Sequence, residues 1–234
     1  MNIDEEKGRK LFEIKKNQVK LVQKRGYNVD RERAILNYTY GNFINYYIPL
    51  AEKNKKTIRN LLSSVYKNEN DEKIFVYYAD VDSSSKQVGK DIISDFIYQL
   101  DSHKTKNGII ITPSISLSSD SKKTITSLLT YNIYVFKENE MAYDPTESFL
   151  VPEHKALSVE DQRDFLQRNN ISIDQLPVIL TSDIISRYYG FRNGQIIEIK
   201  RTNLYDTIVQ HSLAYRQVKD FWIIKNKMQI LLQS

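Results

Sequence analysis

Between Glu5 and Lys24, apolar side chains recur at Leu11, Phe12, Ile14, Val19, Leu21 and Val22. They fall on one broad face at helical spacing, so the pattern predicts an amphipathic helix. Lys15, Lys16, Lys20 and Lys24 occupy its other side and read as a solvated face, and Gly26 stops it. Asp30 to Leu36 predicts a short second helix. Asn37 to Leu50 is rich in Tyr, Phe and Ile, which predicts a strand ended by Pro49. Ile74 to Tyr78 is a short β-branched and aromatic strand, and Asp91 to Leu100 a helix with Ile92, Ile93, Phe96, Ile97 and Leu100 at core spacing. The polar loop between them carries Ser83 to Ser85. Gly108 to Thr112 is apolar on successive residues, the pattern of a strand covered on both faces, and Pro113 ends it. A helix from Ser118 to Leu129, capped by Ser118 or Ser119, precedes a strand from Asn132 to Phe136. Strand, helix, strand, helix, strand in that order predicts an α/β domain with a mostly parallel sheet.

The pattern then changes. Glu138 to Glu153 is acidic and holds Pro145 and Pro152, which places a domain boundary near Thr146. Ser158 to Asp161 opens a helix running to about Arg168. Leu176-Pro177 leads into an extended stretch, and Thr181-Ser-Asp183 caps a short helix that stops at Gly190. Arg192-Asn-Gly194 is a turn between that helix and a strand from Gln195 to Arg201, with Ser212 to Val218 as its partner strand. The reading is a domain at 1–145, a small α+β domain at 146–217 and an extension at 218–234 whose apolar residues must cover some surface.

Composition narrows the classes. Cysteine is absent, which excludes disulfides, thiolate metal sites and a Cys nucleophile. No stretch reaches the ~20 apolar residues that cross a bilayer, and the charged first ten residues are unlike a signal peptide. These point to a soluble intracellular protein. Residues 1–145 carry 23 basic and 19 acidic side chains, residues 146–217 carry 8 and 9, and residues 218–234 carry 3 and 1. A mild basic excess in the first part allows a nucleic-acid neighbour without demanding one.

Candidate chemistry is sparse. His103, His154 and His211 are the only histidines, and none pairs with another ligand type at metal-binding spacing. No phosphate-binding loop, dinucleotide fingerprint or nucleophile elbow occurs. A metal-dependent nuclease would need clustered carboxylates with a Lys. Asp71, Glu72 and Lys73 precede the strand at 74–78, and Asp80, Asp82 and Lys86 follow it, but both sets read as solvated loop charges.

Phe149-Leu-Val-Pro-Glu-His154 is the most specific string in the chain. It resembles the segment that opens the assembly domain of the fifth subunit shared by eukaryotic nuclear RNA polymerases, and of its smaller archaeal counterpart. Gln175-Leu-Pro177, Thr181 to Gly190, Phe191 to Arg201 and Tyr215-Arg216 resemble further family elements in the same order. In the first part, Arg9 to Lys16, Lys24 to Tyr27 and Ile74 to Tyr78 resemble the family more loosely. Thr112-Pro-Ser114 falls where the family has a Thr-Pro-Ser-Ala loop, with the loop at Ser118–Ser121 as a second placement. The archaeal protein lacks this domain, so the resemblance is to the eukaryotic and viral form. Arg201-Thr-Asn-Leu stands where the family has a Pro-containing segment, extra residues lie around 205–210, and 218–234 run past the usual end. These departures mark a divergent member, and the Asn/Ile/Lys/Tyr-rich composition suits an AT-rich genome such as that of a large DNA virus.

The resemblance implies a nuclease-like α/β jaw domain without nuclease chemistry, next to downstream duplex DNA, and a second domain docked on the largest polymerase subunit. DNA contact would be to the backbone and independent of sequence, with Thr112, Pro113, Ser114, Lys122 and Lys123 as candidates. Pro152, Glu153, His154, Arg187, Tyr188, Arg192, Asn193 and Arg201 are the candidate partner contacts. No cofactor or metal is implied. The location would be the nucleus for a cellular member, or a cytoplasmic factory or virion for a viral one. Two alternatives stand beside this reading: a divergent metal-dependent nuclease, and a free-standing regulator that borrowed the assembly domain to bind polymerase.

Overall fold

The computed structural model describes residues 4–82, 84–205 and 208–220, and in 202–205 and 208–211 it describes the backbone only. The chain divides into two compact units, Met1–Asp144 and Pro145–Ser234.

In the first unit, helix α1 (Glu5–Lys24) leads into the two-residue strand β1 (Tyr27–Asn28). A 3-10 turn at Arg33–Asn37 follows, later and tighter than the helix expected from Asp30. Helix α2 (Tyr40–Asn54) occupies the stretch expected to be a strand. Thr39 and Asn42 form a reciprocal capping box there, and Phe43, Tyr47 and Ala51 are buried at four-residue intervals along one face. Pro49 sits within this helix on its exposed side, four residues after the exposed Asn45, so water can take the carbonyl that Pro49 leaves without a donor.

Helix α3 (Ile58–Leu62) and strand β2 (Ser64–Asn68) leave no signal in the hydrophobic pattern, because neither is long enough to show a period. Then come β3 (Lys73–Tyr78), β4 (Gln87–Val88), α4 (Lys90–Ser102), β5 (Asn107–Thr112), β6 (Ser116–Leu117), α5 (Ser119–Ser127) and β7 (Asn132–Lys137). The sheet order is β1-β2-β3-β5-β7, antiparallel from β1 to β3 and parallel from β3 to β7, as the strand–helix alternation requires. Ser83, in the polar loop after β3, lies outside the described residues. One core cluster joins Phe75, Tyr77, Ile93, Phe96, Leu100 and Ile110. Gly108 makes this packing possible: a Cβ there would lie 2.6 Å from Phe96 Cζ and 2.9 Å from Leu100 Cδ2.

Lys15 departs from its expected place. Its side chain is 0% exposed, and its Nζ pairs with Glu32 at 2.8 Å. It also donates to Gln18 Oε1 at 2.9 Å, Leu62 O at 3.0 Å and Tyr66 Oη at 3.3 Å. Lys15 stands between Leu11 and Val19 on the apolar stripe itself, so the helix carries it inward, and a buried cation survives because its donors are taken.

The second unit contains β8 (Glu153–Ala156), α6 (Val159–Asn169), β9 (Val178–Leu180), α7 (Ile184–Tyr189), β10 (Ile196–Tyr205) and β11 (Ile208–Lys219). Its sheet runs β8-β10-β11-β9, antiparallel except for the parallel pair β11–β9. Gly190 and Gly194 adopt φ of 74° and 88°, the left-handed conformations needed to end α7 and to turn into β10. Ile179, Ile185, Phe191, Ile197, Ile199 and Val218 form the core. Strand β11 thus carries Val218 and Lys219 past the expected start of the extension, and residues 221–234 lie outside the described residues.

Candidate functional site

In the first unit, the carboxyl ends of β3, β5 and β7 meet the amino ends of α4 and α5 at one edge, the usual ligand edge of a parallel sheet. The two loops there are tied together. Strands β4 and β6 pair in parallel, Ser118 N–H donates to Val88 O at 3.1 Å, and Ser121 Oγ donates to the same carbonyl at 2.9 Å. Ser118 caps α5 by accepting from Ser121 N–H at 3.1 Å.

Ser114, Lys122 and Lys123 are exposed on this edge and Pro113 is half-buried. Thr112 requires a correction. It is 1% exposed and its hydroxyl lies 3.4 Å from Phe136 O, while its own carbonyl accepts from Glu138 N–H. As the last residue of a doubly covered strand, it offers no group to a DNA backbone.

Two cations outside the sequence-based candidates reach the same edge. Lys10 Nζ lies 3.5 Å from Ser114 Oγ and 3.8 Å from Glu138, and Arg59 donates to Ala79 O at 3.0 Å and pairs with Glu138. They stand on α1 and α3, far apart in sequence, so no local motif could have joined them. The carboxylates weighed for metal chemistry do local work instead. Asp71 pairs with Lys67 at 2.6 Å, Asp80 accepts from Thr57 Oγ1 at 2.8 Å, and Asp82 accepts from the Ser84 N–H and hydroxyl, each at 2.9 Å. The Lys67 hydrogen bond and charge hold Asp71 below the usual carboxylate range, and the Ser84 hydrogen bonds do the same for Asp82.

In the second unit, Glu153 and His154 lie on β8 opposite Lys200 and Ile199 of β10. His154 Nδ1 is 2.7 Å from Pro152 O and must carry hydrogen there, since a carbonyl only accepts. Partial burial lowers the His154 pKa, against the opposing pull of this hydrogen bond and of Asp183; Arg216 and Arg201 add to the lowering. Arg192, Asn193 and Arg201 are exposed, and Arg187 is half-buried with Nε donating to Ser182 O at 3.1 Å. Asn193 Oδ1 accepts from Asp220 N–H at 3.2 Å, so the turn also secures the end of β11. Tyr188 requires the second correction: it is 1% exposed, its ring 5.6 Å from that of Tyr189, and it presents no surface in this chain. The exposed apolar pair Phe149 and Leu150 lies just before Pro152.

Each unit contains a match to one of the two domains of one family. Residues 5–99 match the model of the RNA polymerase Rpb5 N-terminal domain, and residues 143–218 that of the RNA polymerase Rpb5 C-terminal domain. The chain belongs to the Rpb5 family, the fifth subunits of RNA polymerases. Among its relatives, the DNA-directed RNA polymerase subunit 5-like protein 1 of Arabidopsis thaliana is 26% identical over 197 residues, covering 83% of this chain and 90% of that protein. The DNA-directed RNA polymerases I, II, and III subunit RPABC1 of Caenorhabditis elegans is 26% identical over 206 residues, covering 85% and 92%. The DNA-directed RNA polymerase V subunit 5A of Arabidopsis thaliana is 21% identical over 218 residues, covering 93% and 92%.

Proposed function

We propose that this chain is a non-catalytic structural subunit of a multisubunit DNA-directed RNA polymerase, with its first unit in the lower jaw beside downstream DNA and its second docked on the largest subunit. The observation that carries the reading is the presence of both Rpb5 domain models, in order, across relatives covered over about nine-tenths of their length. The basic edge of the first unit supports a backbone-directed DNA contact through Pro113, Ser114, Lys122 and Lys123, joined by Lys10. The near-neutral second unit suits a protein partner, met by Pro152, Glu153, His154, Arg187, Arg192, Asn193 and Arg201. A polymerase subunit implies an intracellular site of action, nuclear in a cellular host. The departures from the family pattern at 201–210 and the AT-type composition favour a viral source, with a factory or virion location. Neither alternative draws support: the acidic side chains a nuclease would use are engaged with Lys67, Thr57 and Ser84, and both family domains of a stoichiometric subunit are present.

The test is isolation of tagged protein from its native source at moderate salt. Recovery with two large polymerase subunits at equal stoichiometry, lost on deleting residues 146–217 but kept on deleting 1–145, is the expected result. Recovery as a lone monomer would sink the assembly reading.

A further inference from the structure

A groove of about 700 Å³ runs beside β2, lined on one wall by residues 28–32 and on the other by residues 64–68 and Lys73. Its origin is the early end of β1. Strand β2 pairs with β3 along Ser64–Lys67, but with β1 only at Asn28↔Lys67 and Tyr27↔Asn68. Asn68 N–H donates to Glu72 O at 3.0 Å. Backbone bonding alternates along an antiparallel pair, so the even-numbered residues of β2 bond β3, and Val65 and Lys67 turn their backbone groups to the other edge. Lys67 meets Asn28 there. Val65 would meet Asp30, but the chain has left: Asn28 Oδ1 takes the Asp30 N–H at 2.7 Å, and Glu32 N–H donates to Val29 O at 2.8 Å. Among the described residues the Val65 N–H and carbonyl have no partner, and they face the groove.

The charges around the groove are unevenly matched. Glu32 is paired with Lys15, Asp30 with Arg33 at 2.7 Å, and Lys67 with Asp71. Neither Arg31 nor Lys73 is in an ion pair among the described residues; Lys73 donates to the His103 carbonyl at 3.2 Å and feels Asp71 only at longer range. An open strand edge selects an extended chain, and two cations outside any ion pair select its sign.

We propose that this groove receives an extended, acidic segment of a partner protein, which adds to the β2 edge at Val65 and sets its carboxylates against Arg31 and Lys73. The inference stands apart from polymerase assembly, since it concerns only the first unit. The probe is a fluorescein-labelled octapeptide alternating valine with aspartate, titrated against the full chain by anisotropy, with a lysine-for-aspartate octapeptide as control. The expected result is micromolar binding of the acidic peptide alone. Arg31→Glu weakens it about fivefold, the scale of a screened ion pair. Val65→Pro, which removes an N–H that bonds nothing in the free chain, abolishes it while circular dichroism is unchanged. Should that variant not fold, slowed hydrogen exchange of the Val65 amide on adding peptide to the unaltered chain decides the matter. No anisotropy change at millimolar peptide, equal binding of the lysine peptide, affinity indifferent to both variants, or displacement by a single-stranded DNA oligomer would each overturn the proposal.

Discussion

Lys15 shows how little a residue's type says about its surroundings. Lysine is almost always solvated, yet this one stands four residues from both Leu11 and Val19, within the apolar stripe of α1. In the fold it lies at the centre of a network with Glu32, Gln18, Tyr66 and Tyr78. Burial lowers its pKa against the pull of Glu32. Burial also opposes ionisation of Glu32, but the Lys15 charge and the hydrogen bonds from Lys15, Ser64 and Tyr66 outweigh it, so the carboxyl stays below its usual range. Lys15→Met should therefore destabilise the chain by about 3–5 kcal/mol, because it strands a buried carboxylate. The double substitution Lys15→Met/Glu32→Leu should recover a large part of that loss, as measured by urea denaturation of the three proteins. Had the pair been a surface contact, the single variant would cost almost nothing.

His154 makes a second residue-scale prediction. Its pKa is lower folded than unfolded, so between the two values the unfolded chain binds more protons and stability rises with pH. The contribution is complete above the unfolded value of about 6.5 and is lost as pH falls below it. The second unit's urea midpoint should therefore drop more between pH 7.5 and 5.5 in the unaltered chain than in His154→Gln. Equal drops would show that His154 titrates alike in both states.

At the scale of elements, capping chemistry outweighed composition. The aromatic stretch at 37–50 has strand-forming residues, yet Thr39 and Asn42 bond to each other's backbone and start a helix whose buried residues sit four apart. Strand propensity mostly reflects the surface a residue packs on, and here that surface is a helical one. The Ser118 cap carries more than its own helix, since Ser121 links α5 to the β4 carbonyl at Val88. Ser118→Ala should cost about 1 kcal/mol of stability and should raise hydrogen exchange at the first turn of α5. Unchanged exchange at Ser121 would show that another acceptor replaces the cap.

At the scale of the whole molecule, two units of different charge suit the proposed division of work, DNA for the first and a protein partner for the second. If Lys122 and Lys123 each neutralise a phosphate, then Lys122→Gln/Lys123→Gln in the assembled polymerase should flatten the dependence of log affinity on log salt for downstream duplex. The change should be about 1–2 in slope, equal for unrelated sequences. A loss confined to one template sequence would place these lysines at bases instead.

Local signals along the chain were enough for the parallel strands, most of the helices, the turns at Gly190 and Gly194, and the family. Each rests on neighbours in sequence: hydrophobic period, caps, glycines at required φ, and ordered strings such as Phe149–His154. The burial of Thr112 and Tyr188, the pairing of Lys15 with Glu32, and the meeting of Lys10 and Arg59 at Glu138 emerged only in three dimensions. So did the early end of β1 that leaves Val65 open. Burial and charge pairing depend on what a distant segment brings to the same place, and the spacing of residues along one strand or helix carries no record of that.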